Sequence, residues 1–263
     1  MLTVRLRCLG KLLLITSLVA GIAAFQSARL HPLIDPDEQT FISPETKQQN
    51  FAQQQWLKLL KKIPDFSFAN LIADWSFLSF LQYFGNEEQR EAIGYDLSPE
   101  YFEVIVEKDP RFLLPYLYLS NSVSIYAAQP ERSISLMQRG LEAMTPQVPP
   151  RSYFIWRYKA IDELLFLGDT EAAQKSLEMA AKWAEESPDP EAESVATYSR
   201  QTAAYLKNNP ASKTARMSAW IQVLINAVSD RTRQIAIQNI ELLGGEILVQ
   251  EDGQVTVRYD LED

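Results

Sequence analysis

Residues 167–188 read LGDTEAAQKSLEMAAKWAEESP. Gly168-Asp169 is a turn, because glycine followed by a short acid breaks a periodic run and favours a tight reversal. From Glu171 to Glu186 the pattern is helical: Ala173, Leu177, Ala180 and Ala181 fall on one face. Pro188 and Pro190 end the helix, since proline lacks the amide that the next turn needs. Upstream, Tyr153–Leu167 reads as the partner helix, so the stretch is the second half of a helical hairpin.

The same punctuation recurs on either side. Helices that read as second members of hairpins stop at Lys108-Asp109-Pro110, Thr145-Pro146 and Ser187-Pro188, with the prolines 36 and 42 residues apart. Ser98-Pro99-Glu100 opens one of these helices, with Ser98 as the expected cap and Pro99 in the first turn. Phe102, Ile105 and Val106 supply its apolar stripe. Phe112–Ala127 reads as the next helix, Gln129-Pro130-Glu131 as its break, and Ile134, Met137 and Leu141 mark the partner. Glu45–Ile63 is an earlier helix stopped by Pro64. Asn70–Phe84, NLIADWSFLSFLQYF, is apolar almost all round and is expected inside the first hairpins. Ala192–Leu206 and Ala211–Val228 form a further pair, split by Asn208-Asn209-Pro210, and Thr232–Leu243 is the last helix. Beyond Gly244-Gly245 the period changes to that of strands: Ile247-Leu248-Val249 and Val255-Thr256-Val257 flank Glu251-Asp252-Gly253-Gln254, a β-hairpin signal.

The run from Leu167 to Ala181 resembles the turn and second helix of a tetratricopeptide repeat. Ala173, Leu177 and Ala180 match the family's small, bulky and small positions, and Ser133, Met137 and Gly140 match them forty residues earlier. Phe102 takes the bulky place one repeat before, and Asp109-Pro110 resembles the family's repeat-ending dipeptide. Asn121 and Ile161 stand where the family has its first-helix glycine, and about six residues are inserted around Pro146–Arg151 relative to a 34-residue unit. The likeness covers 98–188 best. Ala73-Asp74-Trp75, Gln82-Tyr83-Phe84-Gly85 and Asp109-Pro110 together are similar to membrane-anchored bacterial repeat proteins, cyanobacterial ones among them, whose roles are largely unassigned.

The expected fold is therefore all-α: an α-solenoid of divergent repeat-like hairpins, with an N-terminal anchor helix and a small C-terminal β-hairpin. The divisions are 1–28 anchor, 29–45 linker, 46–243 helical domain and 244–263 hairpin and tail. What the resemblance implies for a site is a groove along the first helices, lined by Tyr118, Ser122, Ile125 and Tyr126 from one repeat and Tyr158, Asp162, Leu165 and Phe166 from the next. The carboxylate clamp of some family members needs Lys, Asn and Arg there. Tyr, Ser and Asp suit an apolar or helical peptide instead. These tyrosines equally fit a purely packing role between repeats.

Composition narrows the function. The chain has 263 residues and is 46% apolar, with 12 Phe, 11 Tyr and 5 Trp, enough for an ordered core. Residues 1–30 carry Arg5, Arg7, Lys11 and Arg29 and no acid, a charge of +4; the whole chain is −9, which leaves −13 for 31–263. An acidic body repels phosphate backbones, so nucleic acid is not an expected partner. Arg5, Arg7 and Lys11 precede an uncharged run, Leu12–Ala28, that reads as a signal anchor, with cleavage after a poor Ser27-Ala28 site as the alternative. The basic end should be cytoplasmic and the body periplasmic or lumenal. Pro32, Pro36 and Pro44 with Asp35, Asp37 and Glu38 describe a linker.

No chemistry is expected. The sole histidine, His31, lies in the linker and the sole cysteine, Cys8, in the anchor, so triads, thiol nucleophiles and histidine or cysteine zinc sites lack their parts. There is no phosphate-binding glycine loop, and no cofactor or metal is implied. Carboxylate pairs such as Asp162-Glu163 and Glu185-Glu186 read as solvated helix surface. The leading expectation is a membrane-anchored, non-enzymatic scaffold or assembly factor binding a protein, such as part of a membrane complex. The rivals are a solute-binding accessory of a transporter and a carboxylate-based enzyme on a helical scaffold.

Overall fold

A computed structural model describes residues 44–64, 66–208, 212–249 and 255–259. The anchor segment 1–28, the linker up to residue 43 and the turn Glu251-Asp252-Gly253-Gln254 lie outside the described residues. Among those described, no helix is long and apolar enough to cross a membrane.

The chain is predominantly α-helical. In order come α1 (Pro44–Lys62), α2 (Ala69–Phe84), α3 (Glu87–Ile93), α4 (Ser98–Lys108), α5 (Tyr116–Leu119) running into a π-helical segment π1 (Ser120–Tyr126), and α6 (Pro130–Glu142). Then follow α7 (Tyr153–Asp162) running into π2 (Glu163–Leu167), α8 (Thr170–Glu185), α9 (Ala192–Asn208), α10 (Lys213–Ile225) and α11 (Asp230–Leu242). Strands β1 (Glu246–Val249) and β2 (Val255–Arg258) pair antiparallel with Val249 opposite Val255, a β-hairpin as the two β-branched runs imply, and β1 packs on α11.

Local chemistry accounts for most boundaries. Asp169 accepts the Ala172 amide at 2.9 Å and Gly168 sits at φ +68°, a left-handed position that suits glycine. Pro130 lies in the first turn of α6, where its missing amide costs nothing. Two expectations need correction. The helix expected from Phe112 begins only at Tyr116, because Pro115 cannot donate within a continuous helix and instead occupies its N-cap. Ser98 does not cap α4: Leu97 is the N-cap, Ser98 is the first helical residue, and its buried hydroxyl has no hydrogen-bond partner among the described residues.

Neighbouring helices pack in order. α4 rests on α1 and α2, α6 on α4, α7 on α6, α8 on α7 and α9 on α8. Small residues sit where these helices come close: Ser133, Gly140, Ala173 and Ala180 are all buried. A Cβ on Gly140 would stand 1.9 Å from the Tyr116 hydroxyl, so only glycine lets α5 and α6 approach as they do. Bulky Met137 and Leu177 fill the spaces between.

The last helices depart from the expected order. α9 packs on α8, but α10 does not form its hairpin with α9. It pairs with α11 and returns onto π1 and π2. Trp220 of α10 meets Phe166 edge-on at 5.5 Å. Arg231 of α11 pairs with Asp96 at 3.0 Å, and Thr232 donates to the Tyr126 carbonyl at 3.4 Å. Met217, Trp220, Val223, Ala236 and Ile240 thus form a second core with Ala128 and Phe166.

Helix α2 also differs from its expected placement. One face is buried, through Ala73, Phe77, Phe80 and Tyr83, but Leu71, Trp75 and Leu78 on the other are exposed.

Candidate functional site

The residues expected to line a groove separate into two sets. At the α10–α11 end, Ile125 and Leu165 pack against the second core and Phe166 is buried in it. Tyr126 lies against Phe84 and Tyr95, with centroids 5.2 and 4.6 Å away. This half of the first-helix face is filled by the chain's own C-terminal helices. Ser122 is buried as well and donates to the Tyr118 carbonyl at 2.7 Å.

The other half is open. Tyr118 is partly exposed and touches Phe77 and Phe80 of α2 edge-on. Tyr158 is half-buried and lines an apolar trough of about 440 Å³ with Leu113, Leu114, Leu117, Phe154 and Ile155. Arg151 borders the trough; its guanidinium lies 5.4 Å from the Phe154 ring and pairs with Asp189 and Glu191. Leu114 and Leu117 are 47% and 50% exposed, so the trough is open rather than sealed. The signal for it was present in Phe112–Leu117, an apolar run interrupted by Pro115, but the run reads as core when taken as one continuous helix.

Asp162 is wholly buried, contrary to a solvated reading of the Asp162-Glu163 pair. Ser120 and Ser124 of π1 donate to it at 2.5 and 2.6 Å, and Ser133 of α6 at 2.7 Å. Burial pushes its carboxyl above the usual range, the three hydroxyls pull against this, and neighbouring Glu163 adds to the rise. Glu163 faces the other way: it accepts from Lys159 at 2.5 Å and from Ser176 of α8 at 2.7 Å. Adjacent acids on a helix point in different directions, so this pair joins the π1–α6 side to the α8 side. With no exposed surface, Asp162 offers nothing to a substrate.

Among the described residues no group of histidine, cysteine, aspartate or glutamate side chains is arranged to hold a metal ion. Comparison with known protein families, curated proteins and solved structures gives no match for this chain.

Proposed function

We propose that the chain is a membrane-anchored scaffold or assembly factor, an α-solenoid of tetratricopeptide-like hairpins that holds an apolar or helical segment of a partner protein. The body would sit on the periplasmic or lumenal side, fixed by residues 1–28. The observation that carries this reading is the open trough of Leu113, Leu114, Leu117, Phe154, Ile155 and Tyr158. An apolar concavity between the α5 and α7 segments suits an amphipathic helix laid into it. The ordered packing from α4 to α9 supports the solenoid reading. A small solute would need a closed pocket, which the exposure of Leu114 and Leu117 disfavours. A carboxylate enzyme would need access to the acids that are sealed around Ser133 and Ser176.

The test is affinity purification from detergent-solubilised membranes, comparing wild type with Leu117→Glu and Tyr158→Ala. A co-purifying protein should be lost in both variants while circular dichroism stays unchanged. Undiminished recovery from both would show that the trough is not the binding face.

A further inference from the structure

We propose that α1, α2 and the Phe66–Phe68 turn between them form a surface that docks on a lipid bilayer. Both helices pack on α4, and among the described residues no other element covers their opposite faces. From Phe68, the N-cap of α2, along the helix, Phe68, Leu71, Trp75 and Leu78 recur at i, i+3, i+7 and i+10, and all are exposed. On α1, Trp56 and Leu59 add an exposed apolar edge. Phe66 at the turn is 78% exposed and Trp75 is 64% exposed. Soluble surfaces rarely gather large apolar side chains this way unless something covers them.

The backbone points in the same direction. Phe66 and Ser67 both have positive φ, 45° and 72°, a conformation that side-chain-bearing residues adopt at a cost. Here that cost holds a phenyl ring outward.

Three features identify the cover as lipid. The exposed set pairs tryptophan and phenylalanine with leucine, the mixture that settles at the headgroup–acyl boundary. Lys58 and Lys62 are exposed on α1 and form no ion pair among the described residues, whereas Lys61 is taken up by Glu100 and Glu103 of α4, in a chain of net charge −9. Lys58 and Lys62 suit anionic headgroups, with Asp74 the exposed acid on α2. A symmetric contact with a second copy would instead bring these lysines together. Finally, α1 starts fifteen residues after the segment 1–28. Fifteen residues span at most about 50 Å, so the bilayer that the proposed anchor would enter is within reach. The docking surface rests on that anchored reading for proximity alone.

The test uses the full chain with Cys8→Ser and a single new cysteine from Phe66→Cys or Trp75→Cys, with Glu178→Cys on α8 as control. Each is labelled with an environment-sensitive fluorophore and reconstituted in phosphatidylcholine–phosphatidylglycerol vesicles. Docking predicts blue-shifted emission at 66 and 75, quenching by lipids carrying a shallow nitroxide, and loss of iodide quenching, with none of these at 178. Adding Trp56→Glu should abolish the shielding at 66 with helicity retained. Labels at 66 and 75 as open to iodide as that at 178 would overturn the proposal. So would shielding that grows with protein-to-lipid ratio without nitroxide quenching, which would indicate a protein cover. Vesicle flotation separates the two readings: a chain that floats with exposed labels is anchored but undocked, and one that does not float is neither.

Discussion

Ser133 of α6 and Asp162, where α7 widens into π2, share a hydrogen bond of 2.7 Å that closes one helical pair against the next. Ser120 and Ser124 complete the shell, so a buried carboxylate is held by three neutral donors and no described cation. Asp162→Ala should cost about 3 kcal/mol, because the serines lose a buried acceptor. Asp162→Asn should cost less. The sign with pH follows from the raised pKa: the native carboxyl holds its proton more tightly than the unfolded one. Its stabilising contribution is full below the unfolded value of 3.8 and is lost as pH rises through the native value. Urea unfolding of wild type and Asp162→Asn across the acid range measures this, and the wild type should lose its relative advantage with rising pH.

Glu103 should act with the opposite sign. Burial pushes its carboxyl up, but hydrogen bonds from Lys61 and Arg132 outweigh this and hold it below the usual range. Its contribution is therefore present above pH 4.5 and lost as pH falls through the native pKa. Glu103→Gln should lower stability at neutral pH and flatten the acid limb of the same urea series.

Gly140 and Tyr116 test the close packing of α5 on α6. Gly140→Ala would place a methyl 2.5 Å from the Tyr116 Cζ, which a buried ring cannot easily yield. A loss of about 2–3 kcal/mol is expected. In a double-mutant cycle, Gly140→Ala with Tyr116→Ala should cost clearly less than the two singles combined.

Closure of the π1–π2 surface by α10 rests on Trp220 against Phe166. Trp220→Ala should cost about 3–5 kcal/mol. If α10 and α11 are what cover the first helices there, hydrogen exchange should speed up in π1 and π2 together, and the α8–α9 pair should change little.

At the alkaline end, Tyr83 is pushed up to about 12, by burial first, with Arg90 above its ring at 3.7 Å opposing. Its neutral form is favoured in the native state, so its contribution is full below pH 10 and lost as pH climbs towards 12. Absorbance of phenolate should show a tyrosine class that titrates well above free tyrosine, a class that Tyr83→Phe diminishes.

The helices themselves were legible because proline and glycine mark their ends; Pro110, Pro130, Pro188 and Gly168 all stand at observed boundaries. Four features were not legible. The π turns at Ser120–Tyr126 and Glu163–Leu167 are built from residues that serve equally well in an α-helix, so no periodicity announces them. The exposed face of α2 was hidden because a helix apolar all round gives no clue to which side is covered. The return of α10 onto π1 and π2 depends on the fit of Trp220 to Phe166, a pairing distant in sequence, and it removed Ile125, Leu165 and Phe166 from the expected groove. Helix α3 was missed although Asn86 caps it, accepting the Gln89 amide at 3.2 Å, because the run is short and polar. The trough kept only Tyr158 of the expected lining and gained Leu113, Leu114, Leu117, Phe154 and Ile155.

The central claim is that this trough holds a partner, and site-specific photo-crosslinking in intact cells tests it most directly. A photoreactive phenylalanine replacing Leu117 should capture one defined protein, and Tyr158→Ala should abolish that adduct, while the same probe replacing Glu178 on α8 captures nothing comparable. Adducts that are equal at 117 and 178, or that persist unchanged with Tyr158→Ala, would contradict the account.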